Sequence, residues 1–154
     1  MTVVSDTSPL IAFASLGKLT VLKELFRRVS IPQAVYEELS RKGQFPLEDW
    51  IYVEKIQNRQ LYRVLRVDLG PGESESLCLG AEQKADLILL DDKGARKKAP
   101  LLQLQKTGTL GILVRAKKRG LISAVRTEIE KLESDIDFRI SPSLKEVVCR
   151  LAGE

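Results

Sequence analysis

The stretch Asp86-Leu87-Ile88-Leu89-Leu90-Asp91-Asp92 decides the fold. Four branched apolar residues stand in a row between turn-forming acids. A half-buried strand alternates apolar and polar residues, and this one does not. It reads as a strand covered on both faces, the habit of a parallel sheet. Parallel strands need helical crossovers. Upstream, a helix from about Glu73 to Lys84 follows the break Gly70-Pro71-Gly72. Downstream, the pattern predicts a helix near Lys93–Ala99, a short strand near Leu102–Lys106 and a helix from Gly108 to Arg119, ended by Gly120. Two more helices, roughly Ile122–Leu132 and Ser143–Leu151, close the chain.

The same alternation runs back to the first residues. Thr2-Val3-Val4 is a β-branched run ending at Asp6. Ser8-Pro9 then reads as a helix start, with Ser8 as N-cap, and Gly17 as the stop. Leu19, Val21, Leu22, Leu25 and Phe26 give a second amphipathic helix, and Val29–Ile31 a second strand. Pro32 opens a third helix through about Lys42, stopped by Gly43. Gln44–Val67 is the least legible stretch: Ile51 and Val53 suggest a strand, and Leu61, Tyr62 and Leu65 a helix. Strands alternating with helices imply right-handed β-α-β units and one parallel sheet covered on both faces, an α/β fold. With 154 residues, no repeat and no linker, residues 1–154 are expected to form one domain.

Composition narrows the chemistry. Hydrophobic residues make up 44% and charged residues 30%, the balance of a globular protein. Aromatics at 5% argue against a base-stacking platform. The chain has no histidine, which removes imidazole catalysis and every histidine-containing metal site. The two cysteines, Cys78 and Cys149, cannot build a four-thiolate zinc site and fit a reducing compartment. No apolar run is long enough to span a membrane and no secretory signal opens the chain, so a cytoplasmic location is expected.

The acids gather where such folds bind ligands, at the carboxyl ends of parallel strands. Asp6 ends the first strand, and Asp91 and Asp92 end the strand at Asp86–Leu90. In the third helix Val35 and Leu39 mark the apolar face. Glu38 lies at its border, whereas Glu37 points away. In the helix from Glu73, the residues Leu77, Cys78, Ala81 and Ala85 define the buried face. Glu73 and Glu75 flank it, and periodicity does not choose between them. An all-oxygen cluster drawn from Asp6, Glu38, Glu73 or Glu75, and Asp91 or Asp92 suits a hard cation, Mg²⁺ or Mn²⁺. Such an ion relieves the repulsion between carboxylates and supplies, through bound water, the acidity that histidine would otherwise provide. From Lys93 to Thr127 there are ten basic residues and no acid, so the remaining fifteen basic residues face all twenty-one acids. A basic field beside an acidic site suits a polyanion held by its phosphates. A receiver-like phosphoryl-transfer domain fits less well, because the acid pair follows a late strand and Asp6-Thr7-Ser8 lacks a second Asp two residues on.

Five segments then resemble one family in order and spacing. Val3-Val4-Ser5-Asp6-Thr7-Ser8-Pro9-Leu10-Ile11 is similar to the opening of PIN-domain nucleases. Val35-Tyr36-Glu37-Glu38-Leu39 resembles their second acidic motif, Gly72-Glu73-Ser74-Glu75-Ser76-Leu77 the third, and Leu89-Leu90-Asp91-Asp92-Lys93-Gly94-Ala95-Arg96 the fourth. Thr107-Gly108-Thr109-Leu110-Gly111-Ile112-Leu113 resembles a segment of one prokaryotic subgroup. The resemblance implies a three-layer α/β/α fold with a central parallel sheet. It implies a Mg²⁺- or Mn²⁺-dependent endoribonuclease acting on RNA, the toxin of a VapBC-like toxin–antitoxin pair, with a small antitoxin protein as partner and a homodimer. In that pattern Asp6, Glu38, Glu75 and Asp92 match the four catalytic acids. Glu73 and Asp91 are further metal-ligand candidates, and Thr7, Ser8, Arg96, Lys97 and Lys98 are candidates for substrate contact. The chain departs from many relatives at two positions, with Glu75 in place of Asp and Ser76 in place of Ala.

Overall fold

The computed structural model describes residues 1–43 and 45–154; Gln44, where the least legible stretch begins, lies outside the described residues. Strands β1 (Val3–Ser5), β2 (Val29–Pro32), β3 (Ile51–Glu54), β4 (Leu87–Leu89) and β5 (Lys106–Thr107) form one sheet in the order β3-β2-β1-β4-β5. Every neighbouring pair is parallel. Among the described residues nine α-helices surround it: α1 (Thr7–Ser15), α2 (Leu19–Phe26), α3 (Gln33–Arg41), α4 (Arg59–Leu65), α5 (Pro71–Gln83), α6 (Lys93–Lys98), α7 (Thr109–Lys118), α8 (Val125–Asp135) and α9 (Pro142–Leu151).

Side chains alternate across a strand, so each strand feeds two cores. Val3, Val29, Ile31, Leu87 and Leu89 join one cluster with Phe13, Leu22, Val35, Ile112, Ile129 and Cys149. Val4, Ile88 and Leu90 join the other with Leu65, Leu77, Cys78, Ala95 and Leu104. Helices α1, α2, α3, α7, α8 and α9 therefore cover one face, and α4, α5 and α6 the opposite face. This is the expected three-layer α/β/α arrangement. Both cysteines are free and buried, and burial pushes the Cys78 thiol up to about 12.

The uninterrupted run at Leu87–Leu90 is buried throughout, because β4 lies between β1 and β5 with helices on both sides. Several element boundaries differ from the sequence expectation. Helix α1 begins at Thr7 with Asp6, not Ser8, at its N-cap, so Pro9 is the third helical residue. Proline is harmless there, because the first helical N–H groups have no partner inside the helix. Helix α5 starts at Pro71, so Gly72 belongs to its first turn and not to a break. Its burial is also wider than the stripe Leu77, Cys78, Ala81, Ala85. All residues from Ser74 to Gly80 are buried, Ala81 is half-buried, and Ala85 lies beyond the helix. Small residues allow this close fit: a Cβ on Gly80 would stand 3.1 Å from Leu104.

The strand expected near Leu102–Lys106 is only Lys106–Thr107. Ala99–Leu102 forms a 3₁₀ turn, left through Gln103 at φ 59°. The helix expected from Ile122 starts at Val125 instead. Its uncapped N-terminus receives the side chain of Glu154, which accepts from the Val125 and Arg126 amides. That cap comes from 29 residues downstream of Val125, so no local signal marks it. No helix among the described residues is long and apolar enough to cross a membrane.

Candidate functional site

The strand order reverses direction at β1. From β1 the chain builds outward through β2 to β3, then returns to β4 on the other side of β1 and continues to β5. Such a reversal opens a crevice at the carboxyl ends of the two central strands, here β1 and β4. Asp6 and Asp91 follow those two strands. The sheet itself holds them close: Ser5 is in register with Leu89, and the Asp6 amide donates to the Leu89 carbonyl at 3.0 Å.

Asp6 is only 2% exposed, and its Oδ1 has no hydrogen-bond partner. Its carboxyl is raised to about 7. Burial is the main cause, with the charges of Glu73, Glu38 and Asp91 adding to it; the adjacent Thr7 amide offsets part of the rise. Four carboxylates from four separate segments thus share one electrostatic neighbourhood.

Each neighbour of Asp6 is held by its own support. Thr7 Oγ1 donates to Glu38 Oε2 at 2.6 Å, so the first residue of α1 fixes an acid of α3. Gly72 makes room for that acid, since a Cβ there would collide with Glu38 Oε1. Glu73, in the first turn of α5, folds back over Gly70. Asp91 accepts twice from Thr109, from the amide at 2.7 Å and from the hydroxyl at 2.6 Å. Gly108 must be small, because a Cβ there would stand 2.6 Å from Asp91 Oδ1. Arg96 Nη1 donates to the Leu90 carbonyl at 2.9 Å and borders the same glycine.

Two of the acids that best match the family motifs stand apart from this group. Glu75 is buried and turned toward α3, where Oε1 accepts from the Ala34 amide at 3.0 Å and Oε2 lies 3.5 Å from Arg59 Nη1. It fills the capping role at an α3 N-terminus whose own N-cap, Pro32, has no side-chain donor or acceptor to offer. Asp92 is exposed and caps α6, with Oδ2 accepting from the Ala95 amide at 2.8 Å. The charges that act on the Asp6 carboxyl are those of Glu38, Glu73 and Asp91, while Glu75 and Asp92, the better motif matches, accept from the Ala34 and Ala95 amides. The helix and strand ends turn Glu75 and Asp92 toward backbone amides that need them.

The other candidates divide in the same way. Thr7 is buried and positions Glu38, while Ser8 is exposed. Arg96 borders Asp91, Lys97 is exposed, and Lys98 is paired with Asp68 at 3.3 Å. Thr109, Gly72 and Gly108 are structural supports that the motif reading did not single out. Thr109 could have been found from its position, a hydroxyl at a helix start directly after a strand. An apolar hollow of about 490 Å³ beside Ile11, Leu39 and Phe45 includes none of these acids in its lining.

The donor set is carboxylate oxygen throughout, and Asp6 presents a buried oxygen with no partner. Both features fit a hard divalent cation. Among the described residues no three acids stand close enough to hold an ion as their side chains now lie, because Glu38, Glu73 and Asp91 are each turned toward a separate support. A family model described as PIN domain matches residues 2–154. The chain therefore belongs to the PIN-domain family, whose members are generally nucleases and typically use divalent metals. No curated protein matches the chain.

Proposed function

Starting from membership of the PIN-domain family, we propose that this chain is a Mg²⁺- or Mn²⁺-dependent endoribonuclease that hydrolyses RNA phosphodiester bonds. One observation carries the reading: the buried, unpartnered Oδ1 of Asp6, at the strand-order reversal, among the charges of Glu38, Glu73 and Asp91. Keeping an ionisable group buried and unpaired is destabilising, so a cation that relieves it gives the arrangement a purpose. Asp6, Glu38, Glu73 and Asp91 are the residues that would hold the metal. When bound, such an ion would make its water more acidic than bulk water and offset the charge of the phosphate.

The chain's own groups do the rest. Thr7 holds the Glu38 carboxylate by a hydrogen bond from its hydroxyl, and Thr109 holds that of Asp91. Hydrolysis forms a P–O bond to the water oxygen and breaks the P–O bond to the ribose oxygen, which leaves with a proton. Arg96 is anchored through one nitrogen to Leu90. Its remaining N–H groups are available to a phosphate beside Asp91.

The resemblance of the five motifs supports a toxin role within this reading. The partner is then a small antitoxin that covers the acidic edge and inserts a basic side chain, and the expected homodimer belongs to the same reading. The separation of the acids favours a second reading, a catalytically silent module that binds RNA or protein at this edge. Asp6→Asn separates the two. It is expected to lower Mn²⁺-dependent RNA cleavage by more than ~100-fold while leaving the fold intact by circular dichroism. Cleavage undiminished in that variant would remove the nuclease assignment. Wild-type protein that gains no heat stability from Mn²⁺ would favour the silent module.

A further inference from the structure

Between Lys55 and Val67 there are four basic residues and no acid: Lys55, Arg59, Arg63 and Arg66. Arg59 and Arg63 lie on α4, and Arg66 is its C-cap. At about 100° per residue, Arg59, Tyr62, Arg63 and Arg66 share one side of the helix, within an arc of about 100°. All three arginines are exposed.

Two contacts fix where this side looks. Arg59 Nη1 lies 3.5 Å from Glu75 Oε2, two residues after Glu73 on α5. Arg66 Nη1 donates to the Leu69 carbonyl at 2.7 Å, next to the Gly70 over which Glu73 folds. The guanidinium row therefore runs beside the first turns of α5, the helix that carries Glu73 and makes room for Glu38. Arg63, in the middle of the row, forms no ion pair among the described residues. The Arg59 guanidinium sits 5.3 Å from the centre of the Tyr62 ring, a contact that orients it.

The longer basic segment, Lys93–Thr127, is scattered by the fold. Lys98, Lys117 and Arg126 pair with Asp68, Glu154 and Glu146. Helix α7 starts at the carboxyl edge and runs ~15 Å away from it, which carries Lys118 and Arg119 to the far end.

Resting on the nuclease reading above, we propose that this face of α4 is the track by which single-stranded RNA reaches the acidic edge, with Arg59, Arg63 and Arg66 gripping its phosphates. Arg59 and Arg66 stand ~10 Å apart along the helix, so the row is long enough for more than one phosphate and only one guanidinium wide. A row of that shape suits a single flexible strand.

The test is the salt dependence of binding, measured by anisotropy with a labelled single-stranded RNA in EDTA, so that no cleavage intervenes. Arg59→Gln/Arg63→Gln is expected to bind roughly tenfold more weakly at low salt, with a log–log salt slope shallower by about 1.4. Arg63→Gln alone, which removes no side-chain hydrogen bond or ion pair among the described residues, is expected to change the slope by about 0.7, and Arg63→Lys to restore it. Lys118→Gln/Arg119→Gln is expected to leave the slope unchanged. RNA binding by the wild type with the same slope in every α4 variant would overturn the track while leaving nuclease activity a separate matter. Binding that depends on α4 without any Mn²⁺-dependent cleavage would keep the track and remove the nuclease. A wild type that binds no RNA in EDTA would likewise overturn the track, the nuclease being tested separately by Mn²⁺-dependent cleavage.

Discussion

Two carboxylates at opposite ends of the chain, Asp6 and Glu154, show how differently this molecule treats the same group. Glu154 meets donors on every side. Burial pushes its carboxyl upward, but the Val125 amide, Lys117 and the Arg126 amide outweigh that and hold it below the usual range. Asp6 meets other acids, and its carboxyl rises to about 7. Glu75 and Asp92 belong with Glu154, since each accepts from the amides of a helix start. These three acids are supplied with donors that serve the fold, whereas Asp6 has the Thr7 amide beside it and an Oδ1 with no partner.

The largest effect expected on this contrast comes from Asp6→Asn in metal-free protein. The folded state holds the Asp6 proton more tightly than the unfolded chain, whose Asp titrates near ~3.9. The Asp6 contribution to wild-type stability is therefore greatest below about pH 4 and falls as pH rises toward 7, by a few kcal/mol in order of magnitude. In EDTA at pH 8 the variant is expected to melt above the wild type, with the difference vanishing near pH 4. Mn²⁺ should reverse the order by stabilising only the wild type. Equal melting of the two proteins at pH 8 in EDTA would refute the upward shift of the Asp6 carboxyl.

Next comes Glu75→Gln, expected to lose about 1–3 kcal/mol in urea unfolding, because a buried cap and its Arg59 partner are disturbed. Its Mn²⁺ response should persist; loss of that response would move Glu75 into the metal group. Glu154→Ala should lose about 1 kcal/mol by uncapping α8. Its effect should fade in acid, as the depressed carboxyl takes up its proton and the wild type loses the same stabilisation. The smallest change is expected from Asp92→Asn, within about 0.5 kcal/mol, since Asn caps a helix as well as Asp. Asp91→Asn, one residue away, should instead weaken the Mn²⁺-induced rise in melting temperature, and a reversal of these two outcomes would exchange their roles.

Much of this was legible along the chain. The run Leu87–Leu90 marked a doubly covered strand, and proline and glycine punctuation located most helices within a few residues. Strand-end position made Asp6, Asp91 and Asp92 candidates together, and helical periodicity separated Glu38 from Glu37. Periodicity could not choose between Glu73 and Glu75, because α5 is buried nearly all round and has no single inward face. Motif spacing favoured Glu75, whose carboxylate is taken by an α3 amide forty-one residues upstream in the chain. The α4 arginines drew no notice beside the longer basic run, because charge density along a chain does not reveal which charges the fold pairs off.

Local chemistry alone determined which segments become strands and helices, since side-chain period and residue type travel with the chain itself. Which carboxylates meet, and which are satisfied, was decided only when the strand order β3-β2-β1-β4-β5 brought distant helix starts together. A hydrogen bond forms with whatever amide lies within about 3 Å, and that neighbour is set by packing and not by distance along the chain.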